Sequence, residues 1–158
     1  MGEWNINYYN EKLKEGNEYE RYVVKKLKEE GTNITLIKTY EEQINVGESL
    51  EGYEIKFDDK YKETGNLWIE TQERSDIKKE YVDSGILRND NTIFYVIGNY
   101  DIIFIFEKKK LKEILYEKEI IENNMKTSKG YLLTTPECFF HSKKIIEIKT
   151  NDGLDSWL

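Results

Sequence analysis

The predicted fold is decided by two neighbouring stretches, Gly52-Tyr53-Glu54-Ile55-Lys56-Phe57-Asp58 and Leu67-Trp68-Ile69-Glu70-Thr71-Gln72-Glu73-Arg74, separated by a polar break that ends at Asn66. Side chains alternate between the two faces of a strand, which places Glu54, Lys56 and Asp58 together. A chain reversal around Thr64 would pair the two stretches as a hairpin. In that register Asp58 lies opposite Glu70, and Lys56 lies opposite Gln72.

Two acids directly opposed on a sheet indicate a site for a cation. Their Cβ atoms would be about 5 Å apart, and like charges at that distance destabilise the pair. A divalent ion between Asp58 and Glu70 would remove this repulsion. Hard oxygen ligands suit Mg²⁺, which keeps several waters and can also hold a phosphate. The pattern therefore predicts metal-assisted phosphodiester chemistry.

A solvated outer face of a hairpin is the competing interpretation, because 35% of the residues are charged and acids occur in almost every segment. The register also matters. A slip of one residue would send Asp58 and Glu70 to opposite faces of the sheet.

The 158 residues fit one domain, 1–158, which is large enough to bury a sizeable core. The longest apolar runs, 93–97 and 102–106, are far shorter than the roughly 20 residues that cross a bilayer. A protein without membrane contact is therefore predicted. The N-terminus has no signal-peptide pattern and the lone Cys138 has no partner for a disulfide within the chain, which favours the cytoplasm. The net charge of −7 argues against nonspecific coating of DNA.

The order of residue patterns along the chain predicts a helix, five strands and a second helix. Asn17 is expected to cap the first helix from Glu18 to near Gly31, with Glu20 at the edge of its packing face. The predicted strands are 34–40, 53–59, 67–73, 92–97 and 101–106, the last two buried on both faces. A helix through Leu111–Leu115 follows, and shorter strands at 131–135 and 144–149 flank a turn or short helix at Pro136. The predicted class is α/β (α+β): a central mixed β-sheet of about five strands flanked by helices.

This order resembles the PD-(D/E)XK nuclease superfamily, in its Holliday-junction-resolvase-like and phage-nuclease branch. The segment Gly16-x-x-x-Glu20-Arg21-x-Val23-Val24-x-x-Leu27 looks like the first motif of that family. Asp58 falls at the hairpin Asp of the second motif, and Glu70-Thr71-Gln72 stands where the family carries Glu-x-Lys. The resemblance covers roughly residues 16–106 and depends on the order of short motifs. It implies a restriction-endonuclease-like core.

Two positions depart from the family pattern. Phe57 replaces the Pro before the hairpin Asp, and Gln72 replaces the motif Lys. A neutral amide can orient water but supplies no positive charge. Lys56, expected across the ladder from Gln72, could bring its ammonium group to that place. An ordinary ion pair of Lys56 with a neighbouring acid is the alternative.

The resemblance implies a Mg²⁺- or Mn²⁺-dependent endodeoxyribonuclease. Asp58, Glu70 and the Thr71 carbonyl would bind the metal with help from Glu20. Lys56 and Gln72 would orient the attacking water. Arg74 and Arg88 are candidates for contact with phosphate. The partner would be nucleic acid, with DNA expected, and a twofold homodimer is expected if both strands are cut.

Two other functions remain open at this point. One is a catalytically inactive nuclease-like fold that binds nucleic acid or a protein partner, because Gln72 and the acidic charge both permit it. The other is a small acidic interaction or inhibitor protein with a DNA-like surface. Convergence of Glu20, Asp58 and Glu70 in a concave site with Lys56 would favour the enzyme.

Overall fold

The computed structural model describes residues 2–149, and side chains from residue 7 onward. Within this range the helices and strands follow in this order: α1 (Gly2–Glu29), α2 (Tyr40–Asn45), β1 (Tyr53–Phe57), α3 (Tyr61–Thr64), β2 (Asn66–Glu73), β3 (Val82–Asp83), a 3₁₀ turn (Gly85–Leu87), β4 (Phe94–Gly98), β5 (Ile102–Glu107), α4 (Lys108–Leu115), β6 (Ile121–Glu122), β7 (Ser128–Thr134), α5 (Thr135–His141) and β8 (Lys144–Glu147).

The strands form two four-stranded sheets. The first has the order β1-β4-β5-β8 and the second β3-β2-β7-β6. β1 runs parallel to β4, and every other pairing is antiparallel. The mixed α/β class agrees with the α+β prediction. The prediction of one central sheet of about five strands is wrong, because β2 leaves the first sheet and pairs with β7.

The first sheet is covered on both faces. On one face Tyr19, Val23 and Leu27 of α1 pack with the apolar side chains of a core that includes Ile55 and Val96. On the other face β4 and β5 share a second core with β2, β7 and α4. The prediction that the two apolar strands are buried on both faces is confirmed, since nearly every residue of β4 and β5 is buried.

The predicted hairpin is wrong. Lys56 of β1 pairs with Ile97 of β4, whereas Glu70 of β2 pairs with Gly130 of β7. Asp58 is therefore not opposed to Glu70, nor Lys56 to Gln72. The cause is the connection, since the short helix α3 ends at Gly65 with φ +71°, a left-handed conformation that glycine adopts without steric penalty. This turn directs β2 into the other sheet.

Two further boundaries differ from the prediction. α1 begins by Gly2 and runs through Asn17, because the Lys, Glu and Leu residues at 11–14 favour helix and outweigh one glycine at Gly16. The strand predicted at 34–40 is reduced to an isolated bridge between Leu36 and Ser49. In the C-terminal region β7, α5 with Pro136 in its first turn, and β8 confirm the predicted elements.

Over residues 2–149 no helix has both the length and the apolar character that a bilayer crossing requires.

Candidate active site

Asp58 supports the fold at the end of β1. Its Oδ1 accepts hydrogen bonds from the backbone N–H groups of Lys60 at 3.2 Å and Tyr61 at 3.1 Å, and its Oδ2 accepts from the N–H of Trp68 at 2.8 Å. The residue is 8% exposed. Desolvation raises the pKa of Asp58, although the three backbone bonds oppose this. Both carboxylate oxygens are thus used to cap α3 and to fix the start of β2.

The predicted Glu70-Thr71-Gln72 motif lies on β2, and its polar groups contact residues in the second sheet and next to it. Ser128 Oγ donates to Glu70 Oε1 at 2.7 Å. The Thr71 carbonyl accepts from the N–H of Ser84 at 2.9 Å. Gln72 Nε2 donates to Asp83 Oδ1 at 3.1 Å, across the β2–β3 ladder. The Thr71 carbonyl and the Gln72 amide therefore have partners within the protein.

Arg74, a predicted phosphate contact, is enclosed by partners from its own chain. Its guanidinium donates to the carbonyls of Lys126 at 2.8 Å and Lys79 at 3.1 Å. It also stacks on the Tyr81 ring at 4.1 Å and lies 3.5 Å from a Glu122 oxygen. With 15% of its side chain exposed, Arg74 ties together the end of the second sheet.

Arg88, the other predicted phosphate contact, holds two acids and a carbonyl. Its guanidinium lies 3.5 Å from Glu48 and 3.6 Å from Asp90, and it donates to the Gln43 carbonyl. Asp90 also accepts from Lys108 Nζ at 3.0 Å. Arg88 thus fixes Glu48, a residue that precedes β1.

Glu54 and Lys56 lie on the same face of β1, two residues apart. The Glu54 side chain is 2% exposed, and its Oε2 lies 3.8 Å from Lys56 Nζ. Glu54 Oε1 is buried and has no hydrogen-bond partner among the described residues. Buried carboxylate oxygens without a partner are rare because the lost hydration is costly. Glu54 Oε1 therefore bears an uncompensated cost of burial.

Glu20 and Glu48 complete an electrostatic cluster around Lys56. Desolvation raises the pKa of Glu20 to about 7, with further repulsion from Glu48 and Glu54. Desolvation likewise raises the pKa of Glu54 to about 6, although Lys56 opposes the shift. We refer to Glu20, Glu48, Glu54 and Lys56 as the Lys56 cluster.

Lys56 is the only cation of this cluster. Desolvation lowers its pKa, but attraction by Glu54, Glu48, Glu70 and Glu20 outweighs that effect, and the pKa is raised. Its side chain remains 42% exposed. The ammonium group is therefore charged and surrounded by carboxylates, and it is accessible from solvent.

The cluster opens into a cleft of about 380 Å³ between α1, the end of α2 and β1. Glu20, Glu48 and Lys56 line this cleft. The other residues of its wall are Lys12, Leu13, Glu15, Gly16, Asn17, Gln43, Ile55, Phe57 and Asp59. Glu20 from a helix and Glu48 from a loop thus line the cleft together with Lys56, whereas Glu54 is buried beside Lys56 and is not among the lining residues.

The donor set suits a hard divalent cation, which prefers carboxylate oxygens. Among the side chains that the structure describes, those of residues 7–149, no three of His, Cys, Asp or Glu are arranged closely enough to hold a metal ion as they stand. Glutamate side chains have three rotatable bonds, and a cation would supply the partner that Glu54 Oε1 lacks among the described residues.

Of the predicted site residues, the structure brings together Glu20 and Lys56, with Glu70 in electrostatic range of Lys56. It places Asp58 and Gln72 in structural roles. Sequence reasoning did not assign Glu54 and Glu48 to the site. The signal for Glu54 was present, since Glu54-Ile55-Lys56 is itself a Glu-x-Lys sequence on a strand. Glu48 lies in a loop and had no comparable signal.

Comparison of the chain with models of protein families, with curated proteins and with solved structures finds no match in any of the three.

Proposed function

We propose that this protein is a metal-dependent nuclease that hydrolyses phosphodiester bonds in DNA, with its metal site at the Lys56 cluster. The proposal is supported by Glu20 and Glu48, which line one open cleft with Lys56, and by the buried Glu54, whose Oε2 lies 3.8 Å from Lys56 Nζ. The resemblance to PD-(D/E)XK nucleases supports it, with Glu54-Ile55-Lys56 now taken as the Glu-x-Lys motif.

Glu54, Glu48 and Glu20 would hold Mg²⁺ or Mn²⁺ in this proposal. When bound, such an ion supplies Lewis acidity, lowers the pKa of a water and stabilises charge on the leaving oxygen. The cation would also offset the repulsion among these acids and the desolvation cost of burying their charges. The excess of acids over bases in the cleft makes the approach of a phosphate dependent on the ion.

Lys56 would position the attacking water and stabilise negative charge that develops on the phosphate. The side chain of Lys56 is flexible and partly exposed, so the ammonium group reaches the cleft while it stays paired with Glu54. This assignment removes the difficulty posed by Gln72, because the lysine of the motif is present on β1.

Arg88 would act as a positioning residue by holding Glu48 through its ion pair, while Asp90 and the Gln43 carbonyl hold Arg88. In this proposal neither Arg74 nor Arg88 contacts the phosphate. A twofold dimer remains a prediction.

The test is incubation with labelled single-stranded, duplex and branched DNA and with RNA, in Mg²⁺, in Mn²⁺ and in chelator. We expect ion-dependent cleavage of DNA that falls about 100-fold or more in Glu54→Gln and in Lys56→Met. Asp58→Asn, compared at a temperature where it is folded, should retain cleavage. Absence of cleavage of every substrate would instead favour an inactive nuclease-like fold, and equal cleavage by Glu54→Gln would refute the siting of the metal.

A further inference from the structure

A second groove lies along α4, and we refer to it as the α4 groove. Its lining comprises six residues of segment 87–93 and six residues of segment 107–116, which contains α4. None of these residues lines the cleft at the Lys56 cluster. The two openings nevertheless adjoin, because Arg88 lines the α4 groove and its guanidinium lies 3.5 Å from Glu48, which lines the cleft.

Each of the three acids that line the α4 groove has a basic partner. The Asp90 side chain is 0% exposed and lies 3.0 Å from Lys108 Nζ. The other two acids form surface ion pairs, Glu107 with Lys143 at 3.4 Å and Glu113 with Lys110 at 3.6 Å. The acids of this groove therefore contribute little uncompensated negative charge.

Two lysines of the α4 groove, Lys109 and Lys112, have no acidic partner among the described residues. Both are exposed, and their spacing of three residues places them on the same face of α4. Tyr116 follows four residues after Lys112 on that face, and it is 92% exposed. One face of α4 thus presents two unpaired cations and an aromatic ring along the groove.

This combination of side chains fits the backbone of a nucleic acid. Lysines bind phosphates with release of counterions, and an exposed aromatic ring offers a surface on which a base stacks. The cleft differs in charge, since four carboxylates and two lysines line it and one of those lysines, Lys12, is already paired with Asp59. Without a bound cation the cleft repels phosphate, whereas the α4 groove attracts it.

We propose that the α4 groove binds the phosphate backbone of the DNA substrate and so brings a neighbouring phosphodiester to the Lys56 cluster, past the Arg88–Glu48 ion pair. The inference deepens the proposed function and rests on it for the identity of the substrate. Docking uses lysines and no metal ion, so it persists in chelator. It weakens steeply as salt is added, because both lysines are exposed.

The test compares the double variant Lys109→Gln/Lys112→Gln with Lys25→Gln/Lys28→Gln as the matched control. Lys25 and Lys28 are also exposed, three residues apart on a helix and without an acidic partner among the described residues, and they lie outside the α4 groove. Both variants lose the same charge, and Gln and Lys have similar helix propensities. Binding of a fluorescent DNA strand, alone and annealed to its complement, is measured by anisotropy in chelator at several salt concentrations.

We expect Lys109→Gln/Lys112→Gln to weaken DNA binding about tenfold at low salt and to reduce the slope of log affinity against log salt by about 2. Lys25→Gln/Lys28→Gln should bind nearly as the parent does. Equal losses in the two variants, or no binding of either DNA form by the parent, would overturn the inference. Tighter binding of poly-glutamate than of DNA of equal charge would also overturn it, because the groove would then recognise an acidic protein segment.

The failure of this inference is distinguishable from the failure of the proposed function. Parent-like DNA binding by Lys109→Gln/Lys112→Gln in chelator would remove the docking site and leave ion-dependent cleavage at the Lys56 cluster untouched. Failure of the parent to bind Mn²⁺ would refute the metal site, and weakened DNA binding by the same variant in chelator would still support the α4 groove.

Discussion

Asp58 and Glu54 are buried carboxylates at opposite ends of β1, and they differ in their hydrogen-bond partners. Asp58 accepts from three backbone N–H groups, whereas one oxygen of Glu54 accepts from none among the described residues. Burial alone therefore does not identify a functional acid. Of these two residues, Asp58 uses both carboxylate oxygens to hold the fold, and Glu54, with an unpartnered buried oxygen, is the candidate for ligand binding.

Asp58→Asn should reduce stability rather than metal binding. An asparagine has one side-chain acceptor, so either Trp68 or the start of α3 loses its partner. Hydrogen bonds to a charged group contribute about 1.5–3 kcal/mol, and we expect a loss of this size in the free energy of unfolding measured by urea denaturation. An Asp58→Asn protein with parent stability and no Mn²⁺ binding would contradict this assignment.

Arg88→Lys should weaken metal binding through Glu48. A lysine presents one ammonium group and does not bridge Glu48, Asp90 and the Gln43 carbonyl together. Loss of a residue that orients a metal ligand costs about 10-fold or more in affinity, measurable by calorimetric titration with Mn²⁺. Arg74→Lys is the matched control, because Arg74 is similarly enclosed but its partners are Lys126, Lys79 and Glu122 and not Glu48. Equal Mn²⁺ affinity in Arg88→Lys and Arg74→Lys would show that Arg88 does not position Glu48.

The sequence predicts where the strands lie along the chain better than it predicts which strands pair. Alternation and apolar density located β1, β2, β4 and β5, because these patterns depend on which side chains are buried. The partner of β1 could not be found in the same way. Its five residues fit either an antiparallel neighbour or the parallel strand β4, and the choice depended on a short helix, α3, that no strong local signal marks. The predicted position of the site depended on this pairing, since Glu-x-Lys was sought on β2, whereas the function proposed above places it on β1.

The 3₁₀ turn at Gly85–Leu87 fixes the position of β2 through a close backbone approach. Gly85 has φ +52°, and a Cβ there would lie 2.1 Å from the Glu70 carbonyl oxygen. Gly85→Ala should lower the free energy of unfolding by about 2–4 kcal/mol, from backbone strain together with steric overlap. Gly31→Ala, where φ is +91° and space is open, isolates the strain alone and should cost about 1 kcal/mol. Equal losses in the two variants by urea denaturation would refute the close approach.

The whole molecule carries a net charge of −7. Two of its acids, Glu20 and Glu54, lie in the Lys56 cluster, where burial opposes their ionisation. The pKa of Glu20 is raised from 4.5 to about 7 and that of Glu54 from 4.5 to about 6. The folded protein therefore binds protons more tightly than the unfolded chain at these two positions. Their contribution to stability is full below about pH 4.5 and is lost as pH rises through 6 and 7.

Glu54→Gln replaces one of these two buried acids with a neutral side chain. The variant should gain stability relative to the parent as pH rises from about 4.5 to about 6, by at most about 1.4 kcal/mol per pH unit, because only the parent loses a proton at this position. Mg²⁺ should stabilise the parent at the alkaline end and leave the variant unchanged. Urea denaturation at several pH values, with and without Mg²⁺, measures both effects. A stability difference independent of pH would contradict the assigned burial of the Glu54 charge.

Titration of the full chain with Mn²⁺ by calorimetry, at slightly alkaline pH, tests most directly whether the Lys56 cluster is a metal site. We expect the parent to bind Mn²⁺, Asp58→Asn to retain this binding and Glu54→Gln to lose it. Mn²⁺ binding that survives in Glu54→Gln but disappears in Asp58→Asn would refute a metal site at the Lys56 cluster and place the metal at Asp58 instead.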